Sequence, residues 1–142
     1  MIPNIELLTK EITEISYPTN TYKIEVRFNP NQTLDEIADR INGNTDDLDA
    51  VKQAIYLILG TERYKFIIYS WDYGVELVDL IGQPMPYVMS ELPRRITEAL
   101  TMDDRINDVV DFEFATHGKK LHTTFTVVTN VGNISTELEV DV

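Results

Sequence analysis

The sequence predicts an α+β fold, a single two-layer domain in which two main helices cover one face of an antiparallel β-meander. Two stretches, residues 47–59 and 86–101, carry apolar side chains at helical spacing. Residues 110–141 instead alternate apolar and polar side chains, with short turns between the alternating runs. Hydrophobic residues make up 43% and charged residues 25% of the 142 residues, the balance of a globular domain that buries its own core.

Residues 1–20 are predicted to form an N-terminal arm, ahead of an α+β domain that spans residues 21–142. Four apolar residues of the arm lie close to a helical stripe: Ile5, Leu8, Ile12 and Ile15. A helix this short is marginal in isolation, so it needs a surface to pack against. Two interpretations stay open: the arm packs on its own domain, or it docks on a neighbouring protein.

The stretch between the arm and the first main helix has three predicted elements. Apolar and charged residues alternate over residues 22–28, which predicts a strand with one buried face. Residues 33–41 have helical spacing, and Asn42-Gly43-Asn44 follows as a predicted turn. The carboxylates that come next do not have the spacing of a calcium loop, so we interpret them as charges favoured at a helix N-terminus.

The first main helix, residues 47–59, has a broad apolar side, which indicates burial, and Gly60 supplies its stop. Residues 64–69 are mostly aromatic and β-branched with little polar interruption. This run is typical of an internal strand and predicts that Tyr69 lies in the core.

A short helix is predicted at residues 77–81, followed by the second main helix at residues 86–101. Pro93 lies inside the second helical pattern. Either Ser90 caps a fresh start and leaves Pro93 in the tolerated first turn, or the helix kinks at Pro93. We prefer the first interpretation.

The remaining residues predict consecutive strands joined by short turns, which is an antiparallel meander. In the last strand the acidic side chains are predicted to face outward: Glu137, Glu139 and Asp141. Charges on an edge strand discourage aggregation while they leave the backbone available to a chosen partner.

Composition excludes several classes of site and partner. The formal net charge is -12, so nucleic acid and anionic membranes repel the chain, and protein partners are expected. Without cysteine there is no disulfide, thiolate zinc site or cysteine nucleophile, and two histidines do not make a histidine-rich metal site. We therefore expect no cofactor and no metal. Neither a secretory segment nor a membrane span is predicted, and assembly in a cytoplasm is expected.

The order of parts between residues 22 and 140 resembles a known family. The carrying residues are Leu59, Thr61, Glu62-Arg63, Trp71-Asp72-Tyr73-Gly74, Ala99-Leu100 and Asp103-Asp104-Arg105-Ile106. Together they are similar to the PBSX-type prophage tail proteins of Gram-positive bacteria. These resemble the phage baseplate wedge family, which includes the gene 25 product of large contractile phages and a baseplate subunit of type VI secretion. One departure is clear: Asp103-Asp104 precedes Arg105 where the broad family has Glu-Pro.

The resemblance implies a structural baseplate component of a contractile tail, and therefore a virion protein. Its implied partners are wedge proteins and the first ring of sheath subunits, whose assembly it would initiate by strand addition. No nucleic acid or small-molecule substrate is implied. The residues expected to bind partners or to organise that surface are Asp103, Asp104, Arg105, Glu62, Arg63, Trp71, Tyr73 and Gly74.

Two other classes of function are the alternatives to this structural role, and we expect neither an enzyme nor a small-molecule substrate. A lysozyme-like enzyme needs two carboxylates at a set separation, but among 24 acidic residues some pair is always close, so the sequence does not test it. A ligand-binding module would use Tyr64, Tyr69, Trp71 and Tyr73 to line a pocket, although such aromatics are more typical of a core or a protein interface. For Glu62-Arg63 and Arg105 the plain alternative is a solvated surface pair.

Overall fold

A computed structural model describes residues 19–26 and 38–142. In chain order the elements are β1 (Thr21–Val26), β2 (Ala38–Thr45), α1 (Asp47–Leu59), a 3-10 turn (Val78–Leu80), α2 (Met85–Leu100), β3 (Ile106–His117), β4 (Lys120–Thr129) and β5 (Gly132–Asp141). β3, β4 and β5 form an antiparallel meander, and β1 pairs with β2 in a separate antiparallel sheet. The predicted α+β class, the two main helices and the meander are confirmed.

The core lies where the helices cover one face of the meander. Every second residue of β4 is buried: Leu121, Thr123, Phe125, Val127 and Thr129. α2 presents a matching buried stripe: Val88, Leu92, Ile96, Ala99 and Leu100. These two periods, 2 in the strand and about 3.6 in the helix, are the ones that the sequence predicts. The ring of Phe125 stacks on Phe112 with centroids 5.4 Å apart.

Local chemistry explains both ends of α1. Asp46 is the N-cap, and its carboxylate accepts hydrogen bonds from the N–H of Asp47 and the hydroxyl of Thr19. The bond from Thr19, followed by the bond from Asp47, lowers the pKa of Asp46 below its ordinary value. At the other end, the N–H of Gly60 donates to Tyr56 O at 3.0 Å. The predicted acidic start and the predicted stop at Gly60 are confirmed.

Two predictions before α1 are wrong where the structure describes them. The helix predicted for residues 33–41 is a strand from Ala38 onward, and the turn predicted at residues 42–44 lies inside that strand. Pairing with β1 overrides the local turn propensity. Gly43 keeps a positive φ of 67°, and the strand accommodates it because the pairing with β1 is irregular at that point. The predicted first strand is confirmed over residues 22–26. The arm at residues 1–18, and residues 27–37, lie outside the described residues.

The preferred interpretation of α2 is also wrong. The helix is continuous from Met85 to Leu100 and contains Pro93, and Ser90 does not start it. The Ser90 hydroxyl donates back to Tyr87 O at 2.7 Å, which is a bond within the helix. The start is set earlier, because Pro86 occupies the first turn, where a missing N–H costs nothing.

The internal strand predicted at residues 64–69 is wrong as well. Residues 63–73 form a succession of turns between α1 and the 3-10 turn. Ile67 is 104% exposed and Ile68 is 85% exposed, so this apolar run faces solvent. Tyr69, predicted to lie in the core, is 44% exposed. The short helix predicted at residues 77–81 is confirmed as the 3-10 turn.

Candidate functional site

β5 is an edge strand, and its register shows which backbone groups point away from the sheet. It pairs with β4 without irregularity from Gly132 to Asp141. Just beyond it, Val142 N donates to Lys119 O at 2.7 Å. Because residues of an antiparallel strand alternate between bonding the neighbour and facing away, the even-numbered residues of β5 bond β4. The N–H and C=O groups of its odd-numbered residues therefore point outward, at positions 133, 135, 137, 139 and 141.

The outward edge of β5 has no partner strand within the described ranges. Its side chains divide as predicted. Ile134 and Val140 are buried on the helix side, and Glu137, Glu139 and Asp141 are exposed. Glu139 pairs with Lys120 at 2.5 Å, and hydrogen bonding to this ammonium lowers the pKa of Glu139. The edge thus combines a regular row of backbone groups with acidic side chains.

The opposite edge of the meander, β3, is less regular. Its pairing with β4 shifts between Ile106 and Asp108 and again between Val110 and Glu113. Asp111 lies inside the second irregularity with a positive φ of 57°. Bulges of this kind twist an edge and interrupt its row of hydrogen-bonding groups. Of the two meander edges, β5 is therefore better suited to pairing with another chain.

The corner between α2 and β3 contains the predicted residues 103–105. The guanidinium of Arg105 makes a two-point contact with the carboxylate of Asp103, with Nε at 2.8 Å and Nη2 at 2.6 Å. The N–H of Arg105 also donates to Asp103 at 3.0 Å, and Arg105 O accepts from Asn130 N at 3.0 Å. Arg105 thereby ties the end of α2 to the meander, and it is not a free surface charge. Asp104 is exposed, and among the described residues its carboxylate has no hydrogen-bond partner.

The acid–base behaviour of this corner follows from the same contacts. Burial raises the pKa of Asp103, but hydrogen bonds from the side chain and backbone of Arg105 outweigh it, so the net shift is downward. Hydrogen bonding to Asp103 raises the pKa of Arg105 in turn.

Asp103→Asn should therefore destabilise the protein in a pH-dependent way. The lowered folded-state pKa means that the ion pair contributes fully above the ordinary aspartate pKa of about 3.9 and is lost as pH falls through the folded value. We expect a loss of roughly 1–2 kcal/mol at pH 7 that shrinks as the pH falls below about 3.9 and through the lowered folded-state pKa of Asp103. Denaturant unfolding across this pH range measures it, with Asp104→Asn as the control. A loss that stays constant with pH would contradict the charge-based account.

The predicted residues Glu62, Arg63 and Gly74 meet at the base of the loop that follows α1. Glu62 and Val75 form a parallel bridge, Arg63 N donates to Val75 O at 3.1 Å, and Val75 N donates to Thr61 O at 2.9 Å. The carboxylate of Glu62 accepts the N–H of Leu77 at 3.1 Å and that of the next residue at 3.2 Å. This carboxylate caps the 3-10 turn, as acidic side chains commonly do at helix starts.

Arg63 is not a solvated partner of Glu62. Its side chain is only 8% exposed. Nε donates to Gly74 O at 3.2 Å, and Nη1 reaches Glu98 of α2 at 3.0 Å. The plain alternative of a solvated Glu62-Arg63 pair is wrong, because each side chain bonds to a different part of the structure. Both hold the loop closed against the body of the protein.

The structure adds a clamp that the sequence analysis missed. Arg95 of α2 binds both carboxylate oxygens of Asp79, at 2.5 and 3.0 Å, and donates to Glu76 O at 2.8 Å. Hydrogen bonding to Arg95 lowers the pKa of Asp79. The two residues are 16 positions apart and have no local pattern. The charged residues of this face that do have helical spacing are Glu91, Arg94, Arg95 and Glu98, which form i,i+3 and i,i+4 ion pairs within α2.

The aromatic side chains of the loop are arranged in contacting pairs. Trp71 is 79% exposed, and its ring lies 5.9 Å from that of Tyr64, centroid to centroid. Tyr73 is half-buried and stacks on Tyr69 at 4.7 Å. Burial, followed by the proximity of Tyr69 and Asp103, raises the pKa of Tyr73. The charge of Asp103 acts on Tyr73, so the loop adjoins the corner.

The four aromatics proposed to line a ligand pocket do not enclose one. Tyr64 and Trp71 are largely exposed, Tyr69 stacks on Tyr73, and Tyr73 packs against the core. A depression of about 340 Å³ lies elsewhere, between the β1–β2 hairpin and α1, lined in part by Lys52, Gln53 and Tyr56. No group of three potential metal ligands occurs within the described ranges, and no helix described there is long and apolar enough to cross a membrane.

The described residues thus form a small α+β domain with a strand edge that pairs with no other described strand, a corner held by an ion pair and an exposed apolar loop. The chain matches the family described as contractile injection system sheath initiator over residues 24–132. It is 36% identical over 141 residues to the phage-like element PBSX protein XkdS of Bacillus subtilis (strain 168), covering 96% of this chain and 94% of that protein.

The chain therefore belongs to the contractile injection system sheath initiator family. The resemblance to prophage tail proteins is confirmed, and with it a structural role in starting the sheath of a contractile tail.

Proposed function

We propose that this protein joins the wedge core of the baseplate to the first ring of sheath subunits. It starts the sheath by accepting a strand from a sheath subunit at the outer edge of β5. The single observation that carries this proposal is the regular row of outward N–H and C=O groups from Asn133 to Asp141, which faces no partner strand among the described residues. The protein works as a template and has no catalytic step.

Backbone pairing suits this task because it needs no deep pocket and is chosen by register. A strand added to β5 would extend the three-stranded meander to four strands. Exposed Glu137 and Asp141 favour a strand with basic side chains at the facing positions. The same charges oppose pairing between two copies of β5, because like charges would then lie side by side.

Two competing edges in the described part of the chain, those of β3 and β1, are less suited to pairing than β5. β3 is interrupted by bulges at both ends of its first half. β1 is partly occupied by a side chain: the amide of Gln53 accepts from Ile24 N at 2.9 Å and donates to Tyr22 O at 2.9 Å. Gln53 thus takes the place of a neighbouring strand there.

The corner at residues 103–105 is proposed to dock the wedge core. Arg105 is already paired with Asp103, so its guanidinium is not available to a partner. The charged group that the corner presents to a partner is therefore the exposed carboxylate of Asp104. A basic surface on a wedge protein fits this carboxylate and the net charge of -12. The particle is proposed to be assembled in the cytoplasm of a host bacterium and to retain this protein in the tail baseplate.

Reversing the charge at this corner should impair docking without unfolding the protein. Asp104→Lys is expected to change the free energy of unfolding by less than about 0.5 kcal/mol. Its incorporation into purified tails should fall several-fold, because a lysine would face the proposed basic surface. Glu113→Lys, an equal change at another exposed position, is the control. Incorporation is measured by quantitative mass spectrometry of purified tails. Equal incorporation of both variants would show that the corner is not part of the docking surface.

Complementation tests the function as a whole. A producing strain that lacks the gene should form baseplates and tail tubes without sheath, and adding back the gene should restore sheathed tails in electron micrographs. Full-length sheaths in normal numbers without the gene would contradict initiation. Absence of baseplates as well as sheaths would place the protein earlier in assembly than proposed.

A further inference from the structure

The loop after α1 exposes more apolar surface than its contacts with the other described residues explain. We name residues 64–73 the aromatic loop. Six large side chains in it are exposed: Tyr64 62%, Phe66 47%, Ile67 104%, Ile68 85%, Tyr69 44% and Trp71 79%. Large contiguous apolar patches on the surface of a soluble protein commonly mark a binding site.

The aromatic loop is held in one shape. Its two ends are joined by the bridge between Glu62 and Val75 and by Arg63, as described above. Within it, Tyr69 N donates to Phe66 O at 3.3 Å, and Tyr73 N donates to Ser70 O at 3.1 Å. Compact loops with closed ends and internal packing are frequently functional. A pre-shaped loop also loses little conformational entropy when it binds.

One backbone feature supports the same interpretation. Tyr64 has a positive φ of 65°, a conformation that costs a bulky residue free energy. The frame around the loop imposes this conformation, and its effect is to place the Tyr64 ring beside Trp71 at the solvent side. Exposed tyrosine and tryptophan on a rigid frame are the residue types that dominate the binding free energy of protein interfaces.

We propose that the aromatic loop is a docking knob that inserts into an apolar cleft of another protein subunit of the particle, a cleft rimmed by lysine or arginine. The proposal rests on the function proposed above and concerns a different surface from the edge of β5. Ile67 and Ile68 fill the cleft, Trp71 and Tyr64 contact its wall, and Asp72 meets the basic rim.

Charge favours a basic protein cleft over two other possible partners, a second copy of this chain and an anionic membrane. Asp72 lies on the loop and is exposed, so its carboxylate is available to a basic partner, whereas the carboxylate of Asp103 is already paired with Arg105. The cation of the loop, Lys65, is directed over the ring of Phe66, 5.6 Å from its centroid. A second copy of the chain carries the same net charge of -12, and an anionic bilayer is also negative, so both are repelled. A basic rim on a protein cleft is attracted.

The test compares isoleucine-to-serine changes inside and outside the loop. Ile67→Ser with Ile68→Ser removes the apolar tip, and Ile81→Ser removes another exposed isoleucine, 58% exposed, outside the loop. Each full-length variant is added to purified baseplates from a strain that lacks this gene, and the bound protein is quantified. We expect the loop variant to bind about tenfold more weakly or worse and the Ile81 variant to bind normally, with unfolding midpoints unchanged. Equal binding of both variants would overturn the proposal.

The sole tryptophan gives a second, direct readout. Protein labelled with 5-fluorotryptophan reports on Trp71 alone, even in a mixture with other proteins. On binding to the same baseplates, the fluorine resonance should shift and broaden and lose its sensitivity to the solvent. An unchanged resonance in baseplate-bound protein would overturn the proposal. So would the same shift on phosphatidylglycerol vesicles without one on baseplates, or a shift that needs only high protein concentration.

This design separates the knob from the proposed edge. A variant blocked only at β5 should bind baseplates normally and grow no sheath, whereas the loop variant should fail at binding. Normal baseplate binding by the loop variant combined with loss of sheath growth would refute the knob and leave the edge intact.

Discussion

Replacing Gly74 by alanine should destabilise the protein more than any other glycine substitution in the described loops. Gly74 has a positive φ of 96°, and a Cβ built on it would lie 2.5 Å from Thr61 O, which is closer than real Cβ atoms come to such atoms. The oxygen belongs to the backbone that closes the aromatic loop, so it cannot move without breaking the bond from Val75 N. Strain and overlap together are expected to cost about 2–5 kcal/mol.

Gly82→Ala is the matched control for this prediction. Gly82 also has a positive φ, 82°, but nothing lies within 4 Å of a Cβ built there. Gly82→Ala should lower the free energy of unfolding by only about 1–2 kcal/mol, because the left-handed backbone conformation is unfavourable for alanine but no atom overlaps its Cβ. The difference in unfolding free energy between the two variants measures the close approach at the base of the loop. If Gly74→Ala were no worse than Gly82→Ala, the loop would not be closed by the contacts described.

Replacing Glu137 by proline should abolish sheath growth and leave the fold intact. The N–H of Glu137 points away from β4, so proline removes an outward donor and no bond of the meander. Glu137→Ala is the control, because both variants lose the contact with His122 at 3.3 Å but alanine keeps the donor. Their unfolding free energies should agree within about 1 kcal/mol, and only the proline variant should produce unsheathed tails.

The position of the proline matters to this test. Leu138→Pro would remove a donor that faces β4, and it is expected to unfold the end of the meander. Normal counts of sheathed tails with Glu137→Pro, at the stability of Glu137→Ala, would exclude main-chain pairing at this position of β5.

The parts of the fold that the sequence predicted are those with strong periodicity. α1, α2 and the meander each follow one period over ten or more residues, and their partners come from neighbouring elements of the chain. The alternation that buries Leu121, Phe125 and Val127 also predicted which face of β4 meets the helices. The outward acidic residues of β5 follow from the same rule.

The aromatic loop shows where periodicity fails. An apolar run such as residues 64–69 is assigned to the interior because burial is the usual reason for apolar residues, yet here the run faces solvent. The signals that would have corrected it are long-range: Arg63 with Glu98, and Arg95 with Asp79, pair residues 35 and 16 positions apart. Spacing along the chain does not encode such pairs. The same holds for β2, whose strand pairing overrides a local turn signal.

The resemblance named residues of the candidate site, but their arrangement comes only from the structure, and their role in binding partners stays a prediction. The resemblance selected Glu62, Arg63 and Gly74, and the structure places them together at the base of one loop. It also selected Arg105, which the structure holds on Asp103. The partners of these surfaces stay predictions.

The central claim, that β5 templates the first sheath strand, is tested most directly by cryo-electron microscopy of the baseplate and its first sheath ring. We predict a strand from a sheath subunit beside β5, with main-chain hydrogen bonds to odd-numbered residues between Asn133 and Asp141. A first ring in which sheath subunits contact this protein only through side chains, or pair with β3 and leave β5 bare, would contradict the account.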